Sequence, residues 1–126
     1  MKREPIITPS NLRTFGFIDL HQHPDLPELQ NEYPERDEID ECIRWLLKFA
    51  EPGPTLALRR TSYGYKHTVE RWAGRYISNG AFITAAIELG YRWRRVMNGP
   101  NAVFALKMKI DGKRKRGRQP SWETLE

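Results

Sequence analysis

Few residues in this chain have the types and spacing that catalysis or metal binding requires. His21-Gln22-His23, followed by Asp25, presents two imidazoles on one side of an extended segment, an arrangement that can hold a metal ion. The only other histidine is His67, and the only cysteine is Cys42, so further ligands would have to be carboxylates that the spacing does not select. We favour a surface or structural histidine pair in a proline-rich segment, and we expect no metal and no cofactor.

Nucleophilic catalysis has no better support. Ser62 and His67 lie on one predicted helix, without any oxyanion-stabilising pattern nearby. A helix-capping role for Ser62 and a surface position for His67 account for the two residues. The segment Asn98-Gly99-Pro100 is typical of a turn and not of a phosphate-binding glycine loop. We therefore predict that the protein is not an enzyme.

The strongest chemical signal is the distribution of charge. The net charge is +5, but residues 1–55 contain 6 basic and 11 acidic residues, whereas residues 56–126 contain 15 basic and 5 acidic residues. Such a division indicates a basic face for a polyanion, or two halves that attract one another. Chance segregation of solvated charges is the alternative.

The densest basic cluster lies near the C-terminal end, where Lys113, Arg114, Lys115, Arg116 and Arg118 occur within six positions. This segment resembles an AT-hook, whose Gly-Arg-Pro core lies in the A·T minor groove. It departs from that motif because Gln119 separates Arg118 from Pro120. The resemblance thus implies attraction to phosphates more than recognition of bases. A solvated basic tail without a specific partner is the alternative.

The composition predicts one soluble domain. The chain has 126 residues, of which 39% are hydrophobic and 11% aromatic, enough for a core. The single cysteine excludes an internal disulfide, and no apolar run suggests a signal peptide or a membrane span. We expect a protein of the bacterial or host cytosol that does not associate with a membrane.

Three regions follow from the pattern along the chain: a proline-rich segment packed on the core at 1–34, a core domain at 35–111 and a basic tail at 112–126. Within the first region, Phe15-Gly16-Phe17-Ile18 is predicted to be an edge strand or an anchor laid across the core. A helix after Pro34 is expected to end at Pro52-Gly53, and a linker at 52–60 follows.

Two further helices and a hairpin complete the core domain. One helix is predicted from an N-cap at Ser62 to Gly74, and another from Ser78 or Asn79 to Gly90, apolar nearly all round and hence buried. Apolar residues then alternate through 91–110, which favours a β-hairpin. The predicted fold is α+β, with three helices, a C-terminal β-hairpin and a winged-helix-like order. The second helix of that order has few polar groups for reading base edges, namely Asn79, Thr84 and Glu88.

The hairpin and the tail are therefore the predicted nucleic-acid-binding elements. If the register permits, one face of the hairpin gathers Arg92, Arg94, Lys107 and Lys109, with Tyr91 and Trp93 on the other face. The candidate contacts with phosphates are Arg92, Arg94, Arg95, Lys107, Lys109, Lys113, Arg114, Lys115, Arg116 and Arg118.

The stretch SYGYKHTVERWAGRYISNGAFITAAIELGY, followed by GPNAVFAL, resembles small uncharacterised proteins of phages and prophages over Ser62–Leu106. The resemblance implies a small basic protein that binds DNA or RNA. It also leaves open an anti-defence inhibitor, anti-CRISPR-like, of a host protein or nucleoprotein complex. In that second case the acidic residues before and within the first helix would carry the contact: Glu28, Glu32, Glu35, Asp37, Glu38 and Asp40.

Overall fold

The structure, a computed structural model, describes residues 9–19 and 32–109. These residues form three helices and five strands in two small antiparallel sheets, which confirms the α+β class. In chain order the elements are β1 (Leu12–Arg13), β2 (Gly16–Phe17), α1 (Arg36–Phe49), β3 (Ala50–Ala57), α2 (Ser62–Ala73), α3 (Asn79–Glu88), β4 (Trp93–Arg95) and β5 (Ala102–Met108). None of the three helices is long and apolar enough to cross a bilayer.

Helix α1 forms because its apolar residues recur at helical spacing and its charges suit the helix dipole. Ile39, Cys42, Trp45 and Leu46 are buried, Asp37 and Glu38 occupy the first turn, and Lys48 lies in the last turn. The helix ends at Phe49, earlier than the predicted end at Pro52-Gly53. The backbone of Ala50 is already extended and begins a strand without any intervening loop.

The prediction of a linker at 52–60 is wrong over most of its length, because Ala50–Ala57 is strand β3. It is an edge strand of the three-stranded sheet, whose order is β3-β5-β4. An edge strand tolerates Pro52 and Pro54, since a proline can be placed where no neighbouring strand needs its missing N–H. The pairing with β5 is regular from Ala50 to Pro52 and then becomes irregular up to Ala57.

The ends of α2 and α3 follow the predicted signals with one exception. Gly74 ends α2 in the left-handed conformation at φ 71°, and the Ser78 hydroxyl caps α3 by accepting from the Ala81 N–H at 3.1 Å. The predicted N-cap role of Ser62 is wrong. Thr61 occupies that position, and the buried Ser62 hydroxyl accepts from the Ala102 N–H at 3.1 Å, which ties α2 to β5.

Helix α3 is the centre of the domain. Every residue from 79 to 87 is buried, as the apolar sequence of this helix predicts. The Phe82 ring stacks on Tyr65 of α2 with centroids 5.2 Å apart and meets Phe104 of β5 at 5.6 Å and Trp45 of α1 at 6.1 Å. Both other helices and the three-stranded sheet thus contribute aromatic residues to one cluster around α3.

The N-terminal segment at 9–19 covers the start of α3. Strands β1 and β2 pair with each other, and the turn between them brings the Thr14 carbonyl to the Gly80 N–H at 2.9 Å. The buried Phe17 stacks on Trp93 at 5.3 Å. The sequence predicts an edge strand or an anchor for the Phe15–Ile18 stretch. Gly16 and Phe17 form β2, which pairs with β1, and Phe17 and Ile18 are buried, whereas Phe15 is exposed.

Replacement of Gly80 by alanine is expected to destabilise the fold severely. A Cβ at this position would lie 1.8 Å from the Arg13 carbonyl oxygen, so the N-terminal segment would have to leave α3. We expect Gly80→Ala to lower the free energy of unfolding by about 3 kcal/mol, measured by urea denaturation. Gly53→Ala is the matched control, because its Cβ would meet ordinary contacts at 3.6 Å or more. Equal stability of the two variants would contradict the close packing of residues 12–14 on α3.

Candidate nucleic-acid interface

The register of β4 and β5 decides which side chains share a face of the sheet. Trp93 pairs with Phe104 and Arg94 with Val103, while the Ala105 N–H donates to the Arg92 carbonyl at 2.9 Å. Phe104 points into the core, so its neighbours along β5 point away from the helices. The strand pairing therefore places Arg92, Arg94 and Lys107 on the face away from the helices. Lys109, one residue beyond β5, lies at the edge of this face beside the end of α1, and we call these four basic residues the outer face.

These four cations are fixed to different degrees. Arg92 Nη2 donates to the Pro54 carbonyl at 2.6 Å, which draws the side chain across β5 to β3. Lys109 Nζ donates to the Leu47 carbonyl at 2.6 Å, near the C-terminal end of α1. Lys107 lies 3.7 Å from Glu51, an exposed and hence weak ion pair, and Arg94 has no polar partner within 9–19 or 32–109. All four side chains remain exposed and keep donors available to solvent.

Arg95 lies on the opposite side of the sheet and is occupied within the fold. Its guanidinium donates to the Gly99 and Asn98 carbonyls at 2.7 and 2.9 Å and pairs with Asp19 at 3.1 Å. It also lies over the Phe17 ring at 5.5 Å. Arg95 therefore fastens the hairpin turn and the N-terminal segment, which removes it from the predicted set of phosphate contacts.

The aromatic residues of the hairpin are structural as well. Tyr91 is buried, and this burial together with the nearby Glu51 carboxylate raises the pKa of Tyr91 to about 12. Trp93 is half-buried against Phe17. Neither ring is placed to stack on a base beside the basic residues of the outer face.

Helix α3 has no surface for a DNA groove. A helix that reads the major groove must present side chains to the base edges, but Asn79 and Thr84 are buried and Glu88 is held by Arg36 at 2.7 and 2.9 Å. The covering residues at 12–17 lie over its N-terminal end. Two helices followed by a hairpin are present, but the second helix is not available to read bases.

The acidic residues of α1 pair with other groups of the same domain. Asp37 lies 3.3 Å from Arg75 and Asp40 lies 3.0 Å from Arg36, while the Glu38 carboxylate accepts from the Ser78 N–H at 2.9 Å. Much of the negative charge that the sequence assigns to this region is balanced locally.

One pocket of about 410 Å³ was not anticipated from the sequence. It lies on the helix side of the sheet, where the turns at 14–15 and 100–101 meet the starts of α2 and α3. Three exposed aromatic residues surround it, Phe15, Tyr63 and Tyr76, and Lys66 lies between the two tyrosines. The remaining wall consists of Thr14, Asn79, Pro100 and Asn101. No local sequence pattern indicates this pocket, because Tyr63 lies on α2 whereas Tyr76 lies after its end.

Lys66, which lines this pocket, forms an ion pair with the partly buried Glu70. Lys66 is only 8% exposed, and its ammonium donates to Glu70 Oε2 at 3.0 Å. Glu70 also accepts from the Ile77 N–H at 3.1 Å and lies 2.9 Å from His67 Nδ1. Burial by itself would raise the pKa of Glu70, but these three groups outweigh it together and lower that pKa below its usual value.

No other group in the described ranges suggests catalysis. Across 9–19 and 32–109, His, Cys, Asp and Glu form no cluster of three or more that suits a metal ion. Burial raises the pKa of the Cys42 thiol, with Glu38 and Glu41 adding to the effect, so this cysteine is a poor nucleophile. His21, His23, Asp25, Glu28 and the basic residues at 113–118 lie outside the described residues.

Comparison with family models, curated proteins and solved structures finds no match. The resemblance of Ser62–Leu106 to phage and prophage proteins therefore stays a prediction, and the function is argued from the geometry of this chain.

Replacing Glu70 tests its ion pair with Lys66. Because the folded-state pKa of Glu70 is lowered, its contribution to stability is present above the usual carboxyl pKa and is lost as the pH falls through the folded value. We expect Glu70→Gln to lower the free energy of unfolding by about 1–3 kcal/mol at about pH 7, a loss that shrinks towards pH ~3. Urea denaturation at both pH values measures it. Asp37→Asn, which removes an exposed pair, serves as the control and should change stability by less than about 1 kcal/mol. A pH-independent loss for Glu70→Gln would contradict the role of its charge.

Proposed function

We propose that this protein is a small non-enzymatic nucleic-acid-binding protein of the phage or mobile-element type, acting in the bacterial or host cytosol. The observation that carries the proposal is the outer face, where four basic side chains project from one rigid sheet. Within the described ranges, an ion pair on this face joins Lys107 to Glu51 at 3.7 Å and is weak because both groups are exposed. A face with this excess of positive charge suits the phosphate backbone, which supplies most of the affinity in non-specific binding.

The fixed positions of Arg92 and Lys109 support this proposal. Each is held by one hydrogen bond to a backbone carbonyl, so its position is set before a ligand arrives and less side-chain entropy is lost on binding. Arg94, exposed and without a polar partner in the described ranges, has all its donors free for a phosphate.

The chain leads directly from this face into the basic tail. Lys113 follows Lys109 by four residues, so the chain length limits the distance between their Cα atoms to about 14 Å. The run at 113–118 would extend the same positive surface and increase the rate of encounter with a polyanion.

The order of elements also supports a nucleic-acid-binding protein, in a modified form. Helix α2, a short turn, helix α3 and the β4–β5 hairpin follow one another in the chain, a succession that resembles part of a winged helix-turn-helix. In this chain the sheet would take over the contact that α3, being buried, is unable to make. The alternative is an anti-defence inhibitor that binds through aromatic residues and the acidic face of α1, or, as a basic inhibitor, through guide RNA or an acidic protein groove. The pairing of Asp37, Glu38 and Asp40 within the domain gives the acidic face no specific support.

Neutralising the outer face should weaken binding in a salt-dependent manner. We expect the triple variant Arg92→Gln, Arg94→Gln, Lys107→Gln to lose affinity for nucleic acid at moderate salt. The slope of log K against log salt should fall by about 0.7–0.9 for each phosphate that the variant no longer neutralises. Fluorescence anisotropy over a salt series measures both quantities.

The matched control removes the same charge elsewhere. Arg36→Gln, Arg44→Gln and Arg75→Gln lower the net charge by the same amount, but these arginines are paired with acidic residues on the α1 side. The salt slope of this control variant should remain close to that of the wild-type protein. Equal losses in the two triple variants would mean that net charge matters and the outer face does not.

Neutralising the basic residues of the tail should also weaken binding to nucleic acid and reduce its salt dependence. Changing Lys113, Arg114, Lys115, Arg116 and Arg118 to glutamine in the full-length chain should reduce the salt slope by up to about 0.9 per residue. The association rate should fall more than the dissociation rate rises, because the tail acts through long-range attraction. Stopped-flow anisotropy separates the two rates, and unchanged kinetics would show that the tail takes no part.

A further inference from the structure

The pocket beneath the hairpin turn points to the form of nucleic acid that is bound. We propose that it takes one unstacked base of a single strand, so that the preferred ligand is single-stranded DNA or RNA. This inference depends on the proposed function, because the outer face would hold the backbone that delivers the base.

The pocket has the aromatic surface that a base requires. Tyr63 and Tyr76 are 55% and 63% exposed, and Phe15 is 43% exposed. Three exposed rings around one pocket form a contiguous apolar patch, which often marks a binding site. Bases stack on such rings in proteins that bind single strands without strong sequence preference. A volume of about 410 Å³ is suitable for one base with its sugar.

The position of Lys66 suits the same ligand. Its ammonium lies 4.7 Å from the centre of the Tyr76 ring and 6.0 Å from that of Tyr63. The cation is therefore fixed between the two rings, and Glu70 compensates its charge. A base stacked on either tyrosine would place its electron-rich face and ring nitrogens close to this ammonium.

Amide groups line the inner wall of the pocket. The Asn79 amide nitrogen donates to the Phe15 carbonyl at 3.0 Å and to Asn101 Oδ1 at 2.9 Å, which fixes its orientation. Asn79 Oδ1 is buried and has no hydrogen-bond partner within the described ranges. Buried acceptors without a partner are rare, and a donor from a bound base or a water would satisfy this one.

The relative placement of the pocket and the outer face favours a single strand over a duplex. The pocket opens on the helix side of the sheet, whereas Arg92 and Arg94 project from the other side. Along β5, Val103, which pairs with Arg94, is about 7 Å from Asn101 at the pocket wall. A flexible strand can pass around the hairpin turn and reach both places, but a duplex, stiff over about 150 base pairs, is not able to bend so sharply.

The test compares single-stranded and duplex ligands on the full-length protein. Fluorescein-labelled oligo(dT), oligo(U) and a DNA duplex of equal length are titrated with wild type and with Tyr63→Leu/Tyr76→Leu. We expect the double variant to lose about tenfold or more in affinity for both single strands and to bind the duplex as the wild type does. Tyr63→Phe/Tyr76→Phe keeps the rings and should bind normally.

The control for a general loss of surface aromatic residues is Tyr33→Leu. Tyr33 is 68% exposed and lies over Arg13 at 4.2 Å, outside the pocket lining. Normal binding of single strands by the leucine double variant, or an equal loss for the duplex, would overturn the pocket assignment while leaving the proposed function standing. Absence of all binding by the wild type at low salt would overturn the proposed function, and the pocket assignment with it.

Discussion

The contact between Gly80 and the turn at 13–14 is the constraint on which the rest of this structure depends. It allows the N-terminal segment to approach the start of α3 with a hydrogen bond of 2.9 Å between the Gly80 N–H and the Thr14 carbonyl. With that end covered, α3 is enclosed by α1, α2, the sheet and residues 9–19. A buried α3 supplies the core, and its side chains from 79 to 87 are therefore not available for contacts with a partner.

The helices and the three-stranded sheet therefore have different roles in this domain. The helices hold the aromatic cluster around Phe82, and one face of the sheet packs on that cluster. Since Phe104 and Leu106 face the core, the strand period of two places Lys107 on the opposite face. On that same face Val103 and Ala105 are buried, so the exposed positive charge of β5 is confined to its C-terminal end.

Local signals in the sequence predicted most of the elements, and non-local contacts account for what they missed. Helix α3, its Ser78 cap and the alternating residues of β5 depend on neighbours along the chain, so their patterns were sufficient. Strand β3 was mistaken for a linker because Pro52 and Pro54 disfavour a strand unless it lies at an edge, and edge position is a tertiary property. Likewise, the sequence around Arg95 predicts an exposed cation. Its structural role depends on contacts with Asp19 and Phe17, which are distant in the sequence and belong to the N-terminal segment.

The pocket, like strand β3 and Arg95, depends on non-local contacts that the sequence pattern does not reveal. Its walls come from four separate stretches of chain, and no local pattern links Phe15 to Tyr63, Tyr76 and Asn101. Two features distinguish it from incidental surface: three exposed rings gathered around one cavity, and a lysine buried between two of those rings. Burying an ammonium is costly even beside a carboxylate, and apolar residues in place of both Lys66 and Glu70 would serve the fold as well. The retention of a charge there is accounted for if the pocket and the outer face meet the same polyanion, one at a base and the other at its phosphates.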